Sequence, residues 1–494
     1  MSSWRPTRPM VRRTVLGLVL LLVLGLGGPL SWGWYQERQD REREQRARCA
    51  DGVVRRGPLA ECVGVSAQDF AFTPELADVQ RLISDENKRV VREEDDYVTI
   101  AYMTSLTLEE DDSNSHESVR RQLQGAYLAQ YRANHGDLTG RPAIRLLVAN
   151  TGSNSGQWKF TVDRLVELSR SEDRKKRLLA VAGLGPSTQR NKQALERLSR
   201  HGIAMVGSNM TDTGFAGIPG LVRVAPTNER EAEAAAEYLK DRGFETSVIV
   251  RDEAEENLYA ASLAKEFRSA FPDDEHSIVA EASGYDASRP DWETDLYWIS
   301  RTLCDQAPDV VYFAGRGKHL KAFLNSLANR TCQNRDFTVM GGDDVTNLTN
   351  EDLVEAAEKG VEVLYTGLAH PGMWEKDKAA VSKPSADFFR DGGWMSETFP
   401  NDPRTDGQAI VSHDATLTAV QGVRMAAHGG SDMTGESVGR MFQLMRGEQQ
   451  RVPGAGGFLS FHRNGDPVDK AVPVLKLHPD GHFQLDDVVH ADSG

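Results

Sequence analysis

Between residues 97 and 366, short apolar runs alternate with stretches whose apolar positions recur every three to four residues. The uninterrupted runs read as strands buried on both faces, and the helical spacing reads as helices with one buried side. The first series predicts strands at 97–103, 144–149, 178–183 and 203–207. Helices fall around Val119, Leu123, Ala126 and Tyr127, at 160–169, and from Ser187 to Gly202. After Arg223-Val-Ala-Pro-Thr227 the alternation restarts, with helices at 229–241, 257–271, 291–304 and 317–328. The matching strands lie at 247–250, 277–281, 309–314, 337–341 and 361–366. Such alternation predicts parallel sheets covered by helices. Two series of similar size predict an α/β protein of two doubly wound parallel-sheet lobes, joined by a multi-crossover hinge around a cleft. Residues 94–225 and 367–450, including a helix at 409–427, are assigned to the first lobe. Residues 226–366 and 451–490, ending in a β-like tail, are assigned to the second.

Upstream the pattern changes. Thr14 to Tyr35 carries no charge, and about 20 residues of helix at ~1.5 Å each cross a ~30 Å hydrocarbon core. The segment reads as one N-terminal transmembrane signal-anchor. Arg5, Arg8, Arg12 and Arg13, with no acid among them, place residues 1–13 in the cytoplasm. The rival reading is a cleaved signal peptide and a secreted product, since Gly25/Gly27 or Ser31/Gly33 meets the small-residue rule. Residues 36–93 follow as a charged stalk and a cysteine-containing extension, with an amphipathic face of Leu76, Val79, Leu82, Ile83, Val90 and Val91.

Charge narrows the partners. The formal net charge is −15, yet residues 1–48 hold nine Arg against four acids. The remaining body is more acidic still and lacks the basic face that nucleic acid requires. All four cysteines lie beyond the apolar segment, as an exported protein with disulfides would have them. Near-neighbour pairing joins Cys49 to Cys62 and Cys304 to Cys332, with free buried thiols as the alternative. Their spacing does not suit a zinc site, and no metal or other cofactor is implied.

The run at 178–183 ends in Gly183, Gly185 and Pro186, and Ser187 and Thr188 then open a helix. A strand–turn–helix of this kind leaves backbone N–H groups at the carboxyl edge of the sheet, where they suit a carboxylate. The two hydroxyls could equally serve only as helix caps. No catalytic signature accompanies them: GxSxG, HExxH and Walker A are absent, and Gly315-Arg-Gly-Lys318 lacks the upstream glycine and the hydroxyl of a phosphate loop. The chain is therefore expected to hold a small anion-bearing solute and not to act as an enzyme.

Seven segments, in order, resemble the leucine/isoleucine/valine-binding family of ABC-importer receptors, which have the type I periplasmic binding-protein fold. They are Thr99 to Thr107, Gly125 to Ala129, Gly185-Pro-Ser-Thr-Gln189, Gly202 to Thr211, Asn257-Leu-Tyr259, Val339 to Asp344, and Gly456 to Phe461 with Asn464-Gly-Asp466. The resemblance covers roughly 95–490. It implies that Ser187, Thr188 and Thr211 receive a ligand carboxylate, that Tyr259 enters the cleft, and that Asp343, or its neighbour Asp344, pairs with the ligand ammonium. Three departures bear on the ligand: Ala149-Asn150 where an acid is common, His413-Asp414-Ala415 where Tyr-Asp-Ala is usual, and Arg316 where an aromatic is common. Arg316 would favour a second carboxylate or a polar group over an aliphatic side chain. The implied function is a membrane-anchored extracytoplasmic protein that captures a small amino-acid-like solute for an ABC permease. The alternative is a membrane-tethered sensor acting through a partner.

Overall fold

The computed structural model describes residues 47–490, apart from residues 137, 139, 281–282, 349–353, 379, 429–431, 448, 479 and 481. The expected span at 14–35 and cytoplasmic tail at 1–13 lie outside the described residues. Among those described, no helix is long and apolar enough to cross a membrane.

Two eight-stranded sheets organise the molecule. The first contains β1 (Arg48–Ala50), β2 (Val53–Arg56), β3 (Glu61–Ser66), β4 (Tyr97–Thr104), β5 (Ala143–Asn150), β6 (Leu178–Gly183), β7 (Ala204–Gly207) and β8 (Leu221–Arg223). Their order is β1-β2-β3-β5-β4-β6-β7-β8, parallel from β5 to β8. The second contains β9 (Thr246–Asp252), β10 (Ser277–Ile278), β11 (Ser283–Tyr285), β12 (Val310–Ala314), β13 (Phe337–Gly341) and β14 (Val361–Thr366). A short pair, β15 (Val452–Pro453) and β16 (Phe458–Leu459), precedes β17 (Val472–Leu477) and β18 (Phe483–Val489), which join the second sheet antiparallel to β14 and to each other.

The helices of eight or more residues are α1 (Ala77–Glu93), α2 (His116–Asn134), α3 (Trp158–Ser169), α4 (Gln189–Arg200), α5 (Asn228–Asp241), α6 (Leu258–Ala270), α7 (Trp292–Gln306), α8 (Gly317–Ala328), α9 (Gln408–His428) and α10 (Gly435–Phe442). Each sheet is covered on both faces, so alternate strand residues enter different cores. On β4, Val98, Ile100 and Tyr102 enter one core, while Ala101 and Met103 enter the other. On β12, Val311 and Phe313 oppose Val310, Tyr312 and Ala314 in the same way. Short polar side chains start the helices: Ser115 on α2, Thr188 on α4, Thr227 on α5 and Asn257 on α6 each accept the N–H three residues on.

Two assignments change. The stretch expected as an extension belongs to the first sheet, because β3 pairs antiparallel with β5 and Val53, Leu76, Val79 and Ile83 enter its core. The tail expected in the second lobe divides. Val452, Ala455, Leu459 and Phe461 pack with the first sheet, and only β17 and β18 complete the second. The chain thus passes between the lobes between β8 and α5, between β14 and α9, and between β16 and β17. Both expected disulfides form, Cys49–Cys62 across the N-terminal hairpin and Cys304–Cys332 between the end of α7 and the segment after α8.

Candidate ligand site between the lobes

The first lobe contributes the turns after β6 and β7. Gly183, Leu184 and Gly185 follow one another at φ of +89°, +77° and +76°. Glycine adopts this region freely, whereas a leucine there costs on the order of 1 kcal/mol or more. Leu184 is held by burial at 1% exposure and by its N–H, which donates to the Met103 carbonyl at 2.6 Å. The turn delivers Ser187 to the seam. Its Oγ accepts the N–H groups of Thr211 at 3.0 Å and Asp212 at 3.1 Å, tying the two turns together. Thr188 caps α4, its Oγ1 accepting the Asn191 N–H at 3.2 Å, and is only half-buried.

The second lobe answers with the segments that follow β9, β12 and β13. Tyr259 lies two residues after the α6 cap and is buried. Its ring carries the Arg316 guanidinium at 4.8 Å, a cation–π contact. Its hydroxyl sits where a side chain at Gly342 would project, so this crossing of backbone and phenol requires glycine.

The lobes touch directly. Arg316 donates from Nη2 to the Ser187 carbonyl at 2.9 Å, and the Tyr259 N–H donates to the same carbonyl at 3.3 Å. Gln189 N–H donates to the Glu256 carbonyl at 3.1 Å, and Arg190 N–H to the Glu256 carboxylate at 2.9 Å. Lys318 Nζ donates to the Asp111 carbonyl. The amides at the start of α4, expected to receive a ligand carboxylate, are therefore engaged by an acid of the opposite lobe. Arg316, expected to reach a ligand side chain, spans the seam instead, because the Ser187 carbonyl and Asp344 (3.6 Å) lie within its reach. Outside the Lys318 contact a cavity of about 750 Å³ separates Glu110 and Asp111 of the first lobe from Trp292, Tyr297 and Lys321 of the second.

Behind this seam sits a buried acidic pair. Glu231, in the first turns of α5, is fully buried, and its Oε2 accepts the Asp343 N–H at 3.2 Å and the Thr366 hydroxyl at 2.7 Å. Burial, reinforced by the Asp344 charge, pushes Asp343 up to about 7, against the pull of Arg316. Burial and then the Asp343 charge hold Glu231 well above the ordinary carboxyl range. Asp344 is raised by burial too, while Arg316 and the Gly317 N–H (2.6 Å) oppose the rise.

Among the described residues, Thr211 Oγ1 in the first lobe and Tyr312 Oη in the second are buried without a hydrogen-bond partner, while Asp343 Oδ1 and Glu231 Oε1 receive no such bond from a third residue and belong to carboxyls within hydrogen-bond reach of each other. Buried groups of this kind are nearly always hydrogen-bonded. The expected residues Ser187, Thr211, Tyr259, Arg316 and Asp343 come together, Thr188 stays at the rim as a cap, and Glu231 joins unannounced. An acid in the first turns of a helix is favoured by the helix dipole alone, which hid it in the sequence. Its burial among alanines on α5 was the available signal.

No protein-family model and no curated protein matches the sequence. Solved structures do match. A leucine-binding protein from Thermotoga maritima aligns with a TM-score of 0.61 over 80% of this chain and 99% of its own, at 18% identity. This is the type I periplasmic binding-protein fold. Other type I structures agree. A branched-chain amino acid transporter substrate-binding protein from Streptococcus pneumoniae, in complex with isoleucine, gives 0.59 at 16% identity over 80% and 99% of the two chains. An ABC-transporter solute-binding protein from Rhodopseudomonas palustris, in complex with p-hydroxybenzoic acid, gives 0.59 at 15% identity over 80% and 98%. Within the type I fold the seam lies beyond the carboxyl ends of both sheets, beside the points where strand order reverses. Identities of this size carry the fold and leave the solute to the residues.

Proposed function

We propose that the protein captures a small amino-acid-like solute between its lobes and holds it chiefly by the ammonium group. The carrying observation is the buried acidic pair of Asp343 and Glu231, which share a hydrogen bond but, among the described residues, have no cation placed against their outer oxygens, with the unpartnered Thr211 Oγ1 in the facing lobe. Two carboxyl oxygens and a hydroxyl are acceptors, and an ammonium brings three donors and the charge that a raised carboxyl lacks. The Thr211 hydroxyl, accepting from the ammonium, donates its own proton to the solute carboxylate, and the N–H groups of Gln189 and Arg190 join it when parting of the lobes frees them from Glu256. Tyr259, Arg316 and Ser187 then close the seam over it. Three neighbours bind leucine, isoleucine and p-hydroxybenzoic acid by their own descriptions, which supports capture of a small solute for an ABC importer. The two disulfides suit an oxidising, extracytoplasmic compartment, and the uncharged segment 14–35 supplies the membrane anchor. Mass spectrometry of solute released from the purified protein, followed by calorimetric titration of that solute, tests the reading. An amine-bearing solute whose affinity drops at least tenfold in Asp343→Asn is expected. A solute without an amine, or equal affinity in the variant, defeats it.

A further inference from the structure

An arginine-rich groove lies on this acidic protein where the N-terminal hairpin meets α3. About 560 Å³ in volume, it is lined by Arg48, Arg55, Arg56 and Arg164 with one acid, Asp51. A second cavity of about 460 Å³ adjoins it through Asp51, Gly52 and Arg164, and adds Arg145 and Glu167. Two of these arginines are neutralised within the groove, Arg48 by Asp51 at 2.9 Å and Arg164 by Glu167 at 2.7 Å. Arg55, Arg56 and Arg145 form no ion pair among the described residues. Arg56 lies over the Phe160 ring at 4.7 Å, so its guanidinium is oriented by stacking and not by a carboxylate. Glu61 faces Arg56 across the strand ladder but is held by the Ser153 N–H and the Thr107 hydroxyl. Arg145 is half-buried on β5, with no ion pair but with Asp173 near enough for its charge to act on the guanidinium. Arg55 and Arg56 are consecutive on β2 and leave opposite faces of the sheet at its edge, so the groove that both line wraps that edge, and among the described residues neither is paired with a carboxylate.

Position supplies the partner. Ala47, where residues 1–46 enter the fold, lines the same groove. We propose that the groove docks on the anionic phosphate headgroups of the membrane that holds residues 14–35, an inference that rests on the anchor reading above. Residues 36–46 reach at most ~40 Å when extended at about 3.3–3.6 Å each, a tether that lets the groove meet the bilayer surface repeatedly without fixing it there. Basic side chains there are drawn to anionic lipid within about a Debye length, and guanidinium matches phosphate with paired hydrogen bonds.

Full-length protein in nanodiscs of phosphatidylcholine, with or without phosphatidylglycerol, provides the test, read by hydrogen exchange at residues 48–56 and 160–171. Exchange several-fold slower in the anionic discs is expected. That protection is to vanish at high salt and in Arg55→Gln/Arg56→Gln, whose exposed positions leave the thermal melt unchanged. Equal exchange in the two discs, or protection that persists in the double variant, overturns the proposal. So does equal protection by soluble glycerol phosphate in neutral discs, which would mark a site for free phosphate. A mature N-terminus near residue 28 or 34 would remove the anchor alone, and flotation of the released protein with the same lipids then reads the groove by itself. Binding to anionic vesicles that the double variant loses sustains it, and failure to float overturns it.

Discussion

Asp343 and Glu231 place two adjoining carboxyls out of water, and under the proposed function their protonation would couple solute capture to pH. With both raised by burial, the folded chain keeps protons that the unfolded chain has lost. Their contribution to stability is thus fully present below about pH 4, the ordinary carboxyl range, and for Asp343 is lost as pH rises to about 7. Asp343→Asn should raise the solute-free Tm relative to wild type at pH 8, by stabilisation on the order of a few kcal/mol, and change little at pH 4.5. Thermal melts across that range check the sign. An ammonium competes with these protons, so affinity for the co-purified solute should strengthen from pH 6 to pH 8. Calorimetry should show the dependence flattened in Asp343→Asn, which should also bind weaker by roughly 1.5–3 kcal/mol for a lost charge-assisted contact.

Among the elements, α2 and α9 cross so closely that a Cβ on Gly125 would run into the backbone of Ala409 and His413. Gly125→Ala is expected to cost roughly 1–3 kcal/mol by overpacking and to lower the Tm without altering the solute site. Equal melting temperatures would show that the helices can part at no cost. Legibility in the sequence follows burial. Runs such as Leu178–Gly183 have every residue buried, so local composition alone identifies them. The hairpin strands β1 and β2 are short and carry exposed arginines, and β3 pairs with a strand some 85 residues away, so nothing local marked them as part of the sheet. Ser187 could be picked out from its strand–turn–helix, while Tyr259, Arg316 and Asp343 were picked out by the family resemblance, and the structure brings all four to one seam. The engagement of Arg316 with Ser187, 129 residues away, was not, since it exists only once the lobes meet.

For the molecule as a whole, that contact is one of several that hold the lobes together, and on the proposed reading it biases the balance between open and closed forms. Arg316→Ala removes a buried interlobe hydrogen bond and the cation held over Tyr259. The solute-free variant should show a larger radius of gyration by small-angle scattering. Its affinity should fall by the factor through which the closed population falls. An unchanged radius together with unchanged affinity would remove Arg316 from closure. The three passages between the lobes also decide the order of assembly. The first sheet is covered by α9, α10 and the 452–461 segment, and the second is finished by β17 and β18, so neither lobe has all its partners until the last residues arrive. If the chain is exported as its proposed function requires, most of it must cross the membrane before either half can reach its final packing. Late folding of this kind leaves the polypeptide threadable for as long as threading is required.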